Sequence, residues 1–292
     1  MQFAPAIRHP NATQAILTVA LGLSSIRPVS FANKQSYCNR HGIECIFVTT
    51  PVSNRTPVWQ KVELLARYLP RYEWIWLLDL DAIITNKSVS ISDIVANAQA
   101  RSQAQGQQLS NPLIGAGTPV PGLGRGGRAA GGFGARNDSS ARAVSAAANA
   151  THPADAADAA NGATIPATHP HVDLIYARDY EDRGLNAGSL FFRRAPRFLE
   201  TDFFPHWLAL SRMFHKRELE EQGALADMLQ RDYKGVRGAS VRLEMQEINS
   251  YCPEHEIKEL RWRRGDLVAH FPGQCKKRLV PFVRRNWKEI LD

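Results

Sequence analysis

Trp74-Ile75-Trp76-Leu77-Leu78-Asp79-Leu80-Asp81 is the stretch that decides the fold. Five large apolar residues without a polar break read as a strand buried on both faces, as in a sheet with helices on either side. The strand stops at two carboxylates one residue apart. Upstream, Ala15-Ile16-Leu17-Thr18-Val19-Ala20 is a second run of strand type and Glu44-Cys45-Ile46-Phe47-Val48 a third. Between them the pattern predicts helices over Ser30–His41, with Gly42 as C-cap, and over Trp59–Leu69. In the second of these, Val62, Leu65 and Leu69 share a face and Pro70 lies beyond the end. Strand, helix, strand, helix, strand implies a mainly parallel α/β sheet with right-handed crossovers, in which ligands gather at the carboxyl ends of strands. Asp79 and Asp81 stand at one such end.

An Asp-x-Asp pair by itself is equally a turn-forming acidic pair. Its position at the open end of a buried strand gives it a sharper reading. Two carboxylates on alternate residues can share one hard divalent cation, and that cation can grip a diphosphate. Manganese or magnesium suits oxygen ligands of this kind better than zinc or copper.

The second block supplies further pieces. Leu174-Ile175-Tyr176 and Ser189-Leu190-Phe191-Phe192 read as strands, the latter preceded by Asn186-Ala187-Gly188. A helix is expected over Glu218–Leu229, with Leu219, Ala226 and Leu229 inward and Glu220-Glu221-Gln222 near its start. Gly265–Phe271 reads as a buried strand that carries His270. A lone histidine at a strand end is more often a core residue than a ligand. Here a two-carboxylate metal site still wants a third ligand, and Lys276-Lys277-Arg278 follow at once with the charge that a diphosphate needs.

One segment has a different composition. From Arg101 to Pro170, 18 Ala, 11 Gly and 6 Pro stand beside a single aromatic, Phe133. Such a stretch buries too little apolar surface to offset its ordering entropy. The chain is therefore read as a single domain over 1–292, interrupted by a disordered Ala/Gly/Pro-rich insertion bounded at 97–172.

Charge and cysteines narrow the classes. The net charge of +8 equals that of Lys258 to Lys288 alone, where ten basic residues meet two acidic ones. A basic C-terminal segment suits a polyphosphate ligand, an anionic membrane surface, nucleic acid or plain solvent. No recognition module or aromatic-basic stacking surface accompanies it, so nucleic acid is not an expected partner. No apolar stretch reaches the roughly 18 residues that would span a bilayer, and no signal peptide is read, so no membrane anchor is expected. The four cysteines show no CxxC spacing, which excludes a zinc finger and a thioredoxin-type site.

Several short runs occur in a recognisable order: Asn33-Lys34, Tyr37, His41-Gly42, Trp59-Gln60-Lys61 and Leu77–Ala82. Leu185-Asn186-Ala187-Gly188-Ser189, Glu221-Gln222, Ile248-Asn249-Ser250-Tyr251 and Gly265–Phe271 follow. Together they resemble glycosyltransferase family 34, which holds fungal α-1,2-galactosyltransferases, α-1,6-mannosyltransferase complex subunits and plant xyloglucan xylosyltransferases. The likeness covers nearly all of the chain outside the insertion.

The resemblance implies a GT-A fold and transfer, with retained anomeric configuration, of galactose or mannose from UDP-galactose or GDP-mannose to a glycan acceptor. It implies Mn²⁺ (or Mg²⁺) held by Asp79, Asp81 and His270, with Gln222 and Glu221 at the reacting sugar. Asn186 and Gly188 would line the wall where donor sugar meets acceptor, Lys61 would lie on the nucleotide side, and Lys276 would contact the diphosphate. The family pattern His-Phe-x-Gly-Cys is one residue longer here, His270-Phe271-Pro272-Gly273-Gln274-Cys275, and Lys276 is favoured over Lys277. Front-side attack and a covalent route through Glu221 both stay open, as does a catalytically weak structural role within a mannosyltransferase complex. Leu80 and the Asn-Ala-Gly-Ser run lean towards the fungal galactosyl and mannosyl branch. Family resemblance also implies the Golgi lumen or membrane, with which sequons at Asn11, Asn54, Asn86, Asn137 and Asn149 are compatible. There a Cys252–Cys275 disulfide is the favoured pairing.

Overall fold

The computed structural model describes residues 9, 11–22, 25–110, 171–179, 184–214, 219–286, 288 and 290. The N-terminal half runs β1 (Gln14–Val19), α1 (Arg27–His41), β2 (Glu44–Val48), α2 (Pro57–Tyr68), β3 (Trp74–Leu78), β4 (Ala82–Ile84) and α3 (Ile91–Ser110). After the insertion come β5 (Leu174–Arg178), β6 (Leu185–Arg193) and three short helices, α4 (Pro196–Leu199), α5 (Phe203–Ala209) and α6 (Ser211–Phe214). The chain continues through α7 (Glu220–Gln230), β7 (Ser240–Leu243), α8 (Met245–Ile248), β8 (Ser250–Tyr251), β9 (Val268–His270) and α9 (Lys276–Arg285).

Six strands form one sheet in the order β2-β1-β3-β6-β5-β7. The pairs β1–β2, β1–β3 and β5–β7 are parallel, while β6 runs against both β3 and β5. All five residues of β3 are buried, because its two faces carry separate cores. Ile75 and Leu77 pack with α2, α5 and α7 through Leu65, Trp207 and Leu225; Trp76 and Leu78 face Tyr37, Ile94 and Phe191. At the central pairing Trp76 stacks on Phe191 with ring centroids 4.9 Å apart and donates Nε1–H to Ser189 Oγ at 2.8 Å.

A second sheet, β4-β9-β8, sits where β3 ends. It is made of strands two and three residues long, and the expected strand over Gly265–Phe271 contracts to Val268–His270. In β6 the correction runs the other way. Asn186 and Gly188 lie within the strand, which begins at Leu185, rather than in a loop before it.

Helix α1 ends as read, with Gly42 at φ 64°, a left-handed C-cap suited to glycine. Helix α7 starts at Glu220, and its buried stripe is Glu221, Ala224, Leu225, Met228 and Leu229, so Leu219 and Ala226 are only partly covered. Helix α3 extends through Ser110, so the first residues of the 97–172 insertion are helical where disorder was expected. Its remainder, 111–170, lies outside the described residues. Two disulfides form: the expected Cys252–Cys275, and Cys38–Cys45, which fastens the end of α1 to β2.

Candidate active site

The last ladder contact of β3 passes into a turn. Asp79 donates its N–H to Gly188 O at 2.9 Å, and Ala82 N–H closes back on Asp79 O at 3.1 Å. The chain then enters β4, whose Ala82 pairs with His270 on β9, while Phe271 N–H donates to Asp81 O at 2.8 Å. Two sheets thus meet at this turn and bring a histidine distant in sequence against the aspartates. One ligand atom from each of Asp79, Asp81 and His270 lies within 4.8 Å of the others. His270 Nε2 stands 3.5 Å from Asp81 Oδ1, and both side chains are almost wholly buried.

These residues fit a divalent cation. His270 Nδ1 is buried with no hydrogen-bond partner, a costly state for an imidazole nitrogen that has nothing to bind. Two carboxylates and one imidazole form a donor set for manganese or a similar ion. The His270 ring also has a fitted bed. An added Cβ on Gly188 would meet its Cε1 at 2.2 Å and its Nδ1 at 2.7 Å. Gly188 therefore serves the histidine by leaving its place empty.

Cations surround the pair. Lys276 Nζ, at the start of α9, lies 3.3 Å from Asp81 Oδ2, whereas Lys277 is exposed. Burial opposes ionisation of Asp81, but the hydrogen bonds and charges of His270 and Lys276 outweigh it and hold the carboxyl below its usual range. Lys61 reaches from α2 to Asp79 Oδ1 at 2.8 Å and to Glu221 Oε1 at 2.9 Å. Its burial would discharge an ammonium, yet the two carboxylates prevail and raise its pKa. Lys61 thus bridges Asp79 to Glu221, and so links the Asp79–Asp81–His270 cluster to the reacting-sugar candidates.

Gln222 is fixed at both ends of its amide. Its Oε1 accepts from Ala187 N–H at 2.9 Å and its Nε2 donates to Asp179 Oδ2 at 3.0 Å. Asp179 Oδ1 accepts from Tyr251 O–H at 2.6 Å, and that hydroxyl accepts from Asn186 Nδ2 at 3.0 Å. Asn186 Oδ1 in turn accepts from Gly188 N–H and from Asn249 Nδ2. All nine residues named for the site by sequence gather here. Asp179, Tyr251 and Asn249 join them; the resemblance assigns these no role, although Asn249 and Tyr251 belong to one of the runs that carry it.

Lys34 likewise belongs to the runs that carry the resemblance, which assigns it no role. It is fully buried on α1 and donates to Ser30 Oγ at 2.6 Å and to Ala82 O at 2.7 Å, next to Asp81. Its neighbour Asn33 pairs with both the N–H and the C=O of Ile84, each at 2.8 Å. The two side chains thereby satisfy the free edge of β4, as a further strand would.

Known proteins resemble this chain in fold and in sequence. A glycosyltransferase involved in glycosylation of the major capsid of PBCV-1 has a crystal structure that superposes with a TM-score of 0.54 at 12% identity, covering 93% of this chain and 98% of that one. The fold is of the GT-A type. A probable α-1,2-galactosyltransferase, gmh2, of Schizosaccharomyces pombe is 24% identical over 255 residues, 84% of this chain and 58% of that protein. An α-1,2-galactosyltransferase of the same yeast is 24% identical over 265 residues, 86% of this chain and 58% of that protein. The probable α-1,6-mannosyltransferase MNN10 of Saccharomyces cerevisiae is 35% identical over 77 residues, 24% of this chain and 20% of that one. The chain spans 58% of the length of the two galactosyltransferase relatives. The model of the galactosyl transferase GMA12/MNN10 family, glycosyltransferase family 34, matches residues 22–107 and 148–279, and the chain belongs to that family.

Proposed function

We propose that the chain is a retaining, metal-dependent hexosyltransferase that moves galactose or mannose from UDP-galactose or GDP-mannose to a hydroxyl of a glycan. One observation carries this reading: the convergence of Asp79, Asp81 and His270, with their ligand atoms within 4.8 Å, at the carboxyl end of β3. Asp79, Asp81 and His270 would hold the cation, Mn²⁺ or Mg²⁺. When bound, the ion supplies positive charge beside the donor's diphosphate.

The chain's own groups then divide the work. Lys276, beside Asp81, stabilises the charge that builds on the leaving diphosphate as the bond from anomeric carbon to phosphate oxygen breaks. The departing oxygen keeps the electron pair. The acceptor oxygen bonds to the anomeric carbon from the same face, and its proton passes to that phosphate oxygen. Gln222 and Asn186, fixed by Asp179, Tyr251 and Asn249, hold the sugar in place. Glu221 is paired with Lys61 at 2.9 Å, which supports the front-side route over a covalent one through that carboxylate.

The chain is further proposed to act as one domain with the 97–172 segment as an insertion, and to work in the Golgi lumen. Two disulfides and exposed sequon residues Asn11 and Asn54 suit an oxidising, glycosylating compartment. No helix among the described residues is long and apolar enough to cross a membrane. The purified protein with Mn²⁺ and a panel of UDP- and GDP-sugars is expected to release nucleotide from one donor class. No release from any of them would turn the reading to a structural subunit of a mannosyltransferase complex.

A further inference from the structure

Asn33, Lys34, Tyr37 and His41 belong to the family runs, and none of them is a ligand or a sugar-contact candidate. With Ser30 they follow the spacing i, i+3, i+4, i+7, i+11, which is one face of α1. Such a face is ordinarily apolar. Here Ser30, Asn33, Lys34 and Tyr37 are fully buried, and each carries a polar group.

Their partners are backbone groups of one stretch, Ala82 to Val89, directly after Asp81. Lys34 Nζ donates to Ala82 O at 2.7 Å, and Asn33 Nδ2 donates to Ile84 O at 2.8 Å while its Oδ1 accepts Ile84 N–H. Further along, His41 Nε2 donates to Lys87 O at 2.8 Å and Tyr37 O–H to Val89 O at 2.9 Å. Lys87 Nζ returns to α1 at Ser36 Oγ, 2.7 Å away. The opposite edge of β4 pairs with β9, Ala82 facing His270. The helix is itself anchored beside the other aspartate's strand. Tyr37 packs edge-on against Trp76 of β3 with centroids 5.7 Å apart, and Cys38 is bonded to Cys45 on β2.

Packing alone does not require these polar groups. A helix lodged by apolar side chains can slide over its neighbour by a fraction of an ångström at small cost. Buried bonds to backbone carbonyls resist that slide, because a lengthened bond leaves a carbonyl unsatisfied. Metal ligands need placement to within about 0.5 Å. We propose that α1 positions the cation site, and that Asn33 is the residue which fixes β4, and with it Asp81, against His270. The proposal rests on the metal-dependent reading above and adds to it positioning residues that act through the backbone of the ligands, without touching ion or donor.

Calorimetry of the full chain with Mn²⁺ and no donor tests it. Asn33→Ala exchanges one neutral residue for another, so it alters geometry and leaves the charge around the ion unchanged. It should weaken Mn²⁺ binding by about tenfold, as loss of a group that supports a ligand does. Tyr37→Phe removes only the hydroxyl that holds Val89 O, farther along the chain from Asp81, and should weaken binding less. Phe198→Leu, in the core on the opposite face of the sheet, should lower the melting temperature and leave Mn²⁺ affinity within about twofold. Where Asn33→Ala does not fold, Asn33→Ser, whose hydroxyl can keep one bond to Ile84, takes its place. A folded Asn33 variant that melts lower yet binds Mn²⁺ as the wild type does overturns the proposal.

A second readout needs no metal. Phe271 N–H donates to Asp81 O at 2.8 Å, so its hydrogen exchange reports how firmly Asp81 is held. In the Asn33 variant it should quicken by more than that of the amides in the β5–β6 ladder. If the wild type binds no Mn²⁺, the metal-dependent reading fails by itself; the positioning of β4 by Asn33 then stands if Phe271 exchange quickens in this way, and falls if it does not.

Discussion

A Cβ placed on Gly188 would lie 2.2 Å from Cε1 of His270. The two residues come from different sheets and meet where the β3–β6 ladder ends. Gly188→Ala should therefore dislodge the imidazole. Overpacking of this kind costs about 1–3 kcal/mol, so the melting temperature should fall by several degrees. Mn²⁺ affinity, read by calorimetry without donor, should fall with it. Adding His270→Ala to the same chain should restore melting temperature and leave the metal affinity lost. A Gly188→Ala protein with unchanged Mn²⁺ binding would separate the glycine from the metal site.

Asp79→Asn and Asp81→Asn each remove a carboxylate charge at nearly constant volume. Each should lower Mn²⁺ affinity by at least about tenfold with the fold intact. In Asp79→Asn, Lys61 keeps Glu221 as partner, so its ammonium is not stranded. EDTA should stop donor turnover and Mn²⁺ should restore it. Turnover indifferent to EDTA would return the two aspartates to the role of a turn-forming pair.

The two aspartates were legible in the sequence for a physical reason, whereas Lys61, Asn186, Gly188, Glu221 and Gln222 came from the family resemblance. Strands β1 and β3 are buried on both faces, so each reads as an unbroken apolar run, and the aspartates follow β3 directly. Strands β4 and β8 were not legible. They are three and two residues long, and tertiary pairing with β9 alone makes them strands. The roles of Asn33 and Lys34 were hidden because α1 breaks the amphipathic rule. Its buried face carries Ser30, Asn33, Lys34 and Gln35, polar groups whose partners lie in part on β4, about fifty positions on. Asp179 follows β5 as a single carboxylate, and only folding reveals that it receives Gln222 and Tyr251.

The two disulfides should contribute unequally. Cys252–Cys275 closes a separation of 23 residues and Cys38–Cys45 one of 7. Chain-entropy arguments give about 3 kcal/mol for the longer loop and roughly 1 kcal/mol less for the shorter. Paired Cys→Ala variants compared by urea denaturation should show that order. Because Cys275 directly precedes Lys276, loss of the longer link should also raise the donor KM. An equal donor KM would show that α9 holds Lys276 without it.

Lys34 gives the sharpest prediction, because a buried lysine leaves a signature in the pH dependence of stability. Its burial, opposed by the charges of Asp81 and Asp79, lowers its pKa to about 7 from the ordinary 10.5. Between those values the unfolded chain binds more protons than the folded one, so stability rises with pH across that window. Below pH 7 both states are protonated and the contribution is flat. Lys34→Met keeps a side chain of similar length and removes the titration, at a cost of about 1–3 kcal/mol for the partner taken from Ala82 O. From pH 7 to pH 9, then, the wild-type unfolding free energy should gain about 2 kcal/mol relative to the variant. Urea denaturation in EDTA measures this without interference from bound metal. The comparison stops at pH 9, since Tyr37, its pKa raised first by burial and then by Asp93, reverses the slope once unfolded tyrosine ionises near pH 10. Parallel curves over pH 7–9 would mean that Lys34 stays charged inside the fold, balanced by Asp79 and Asp81.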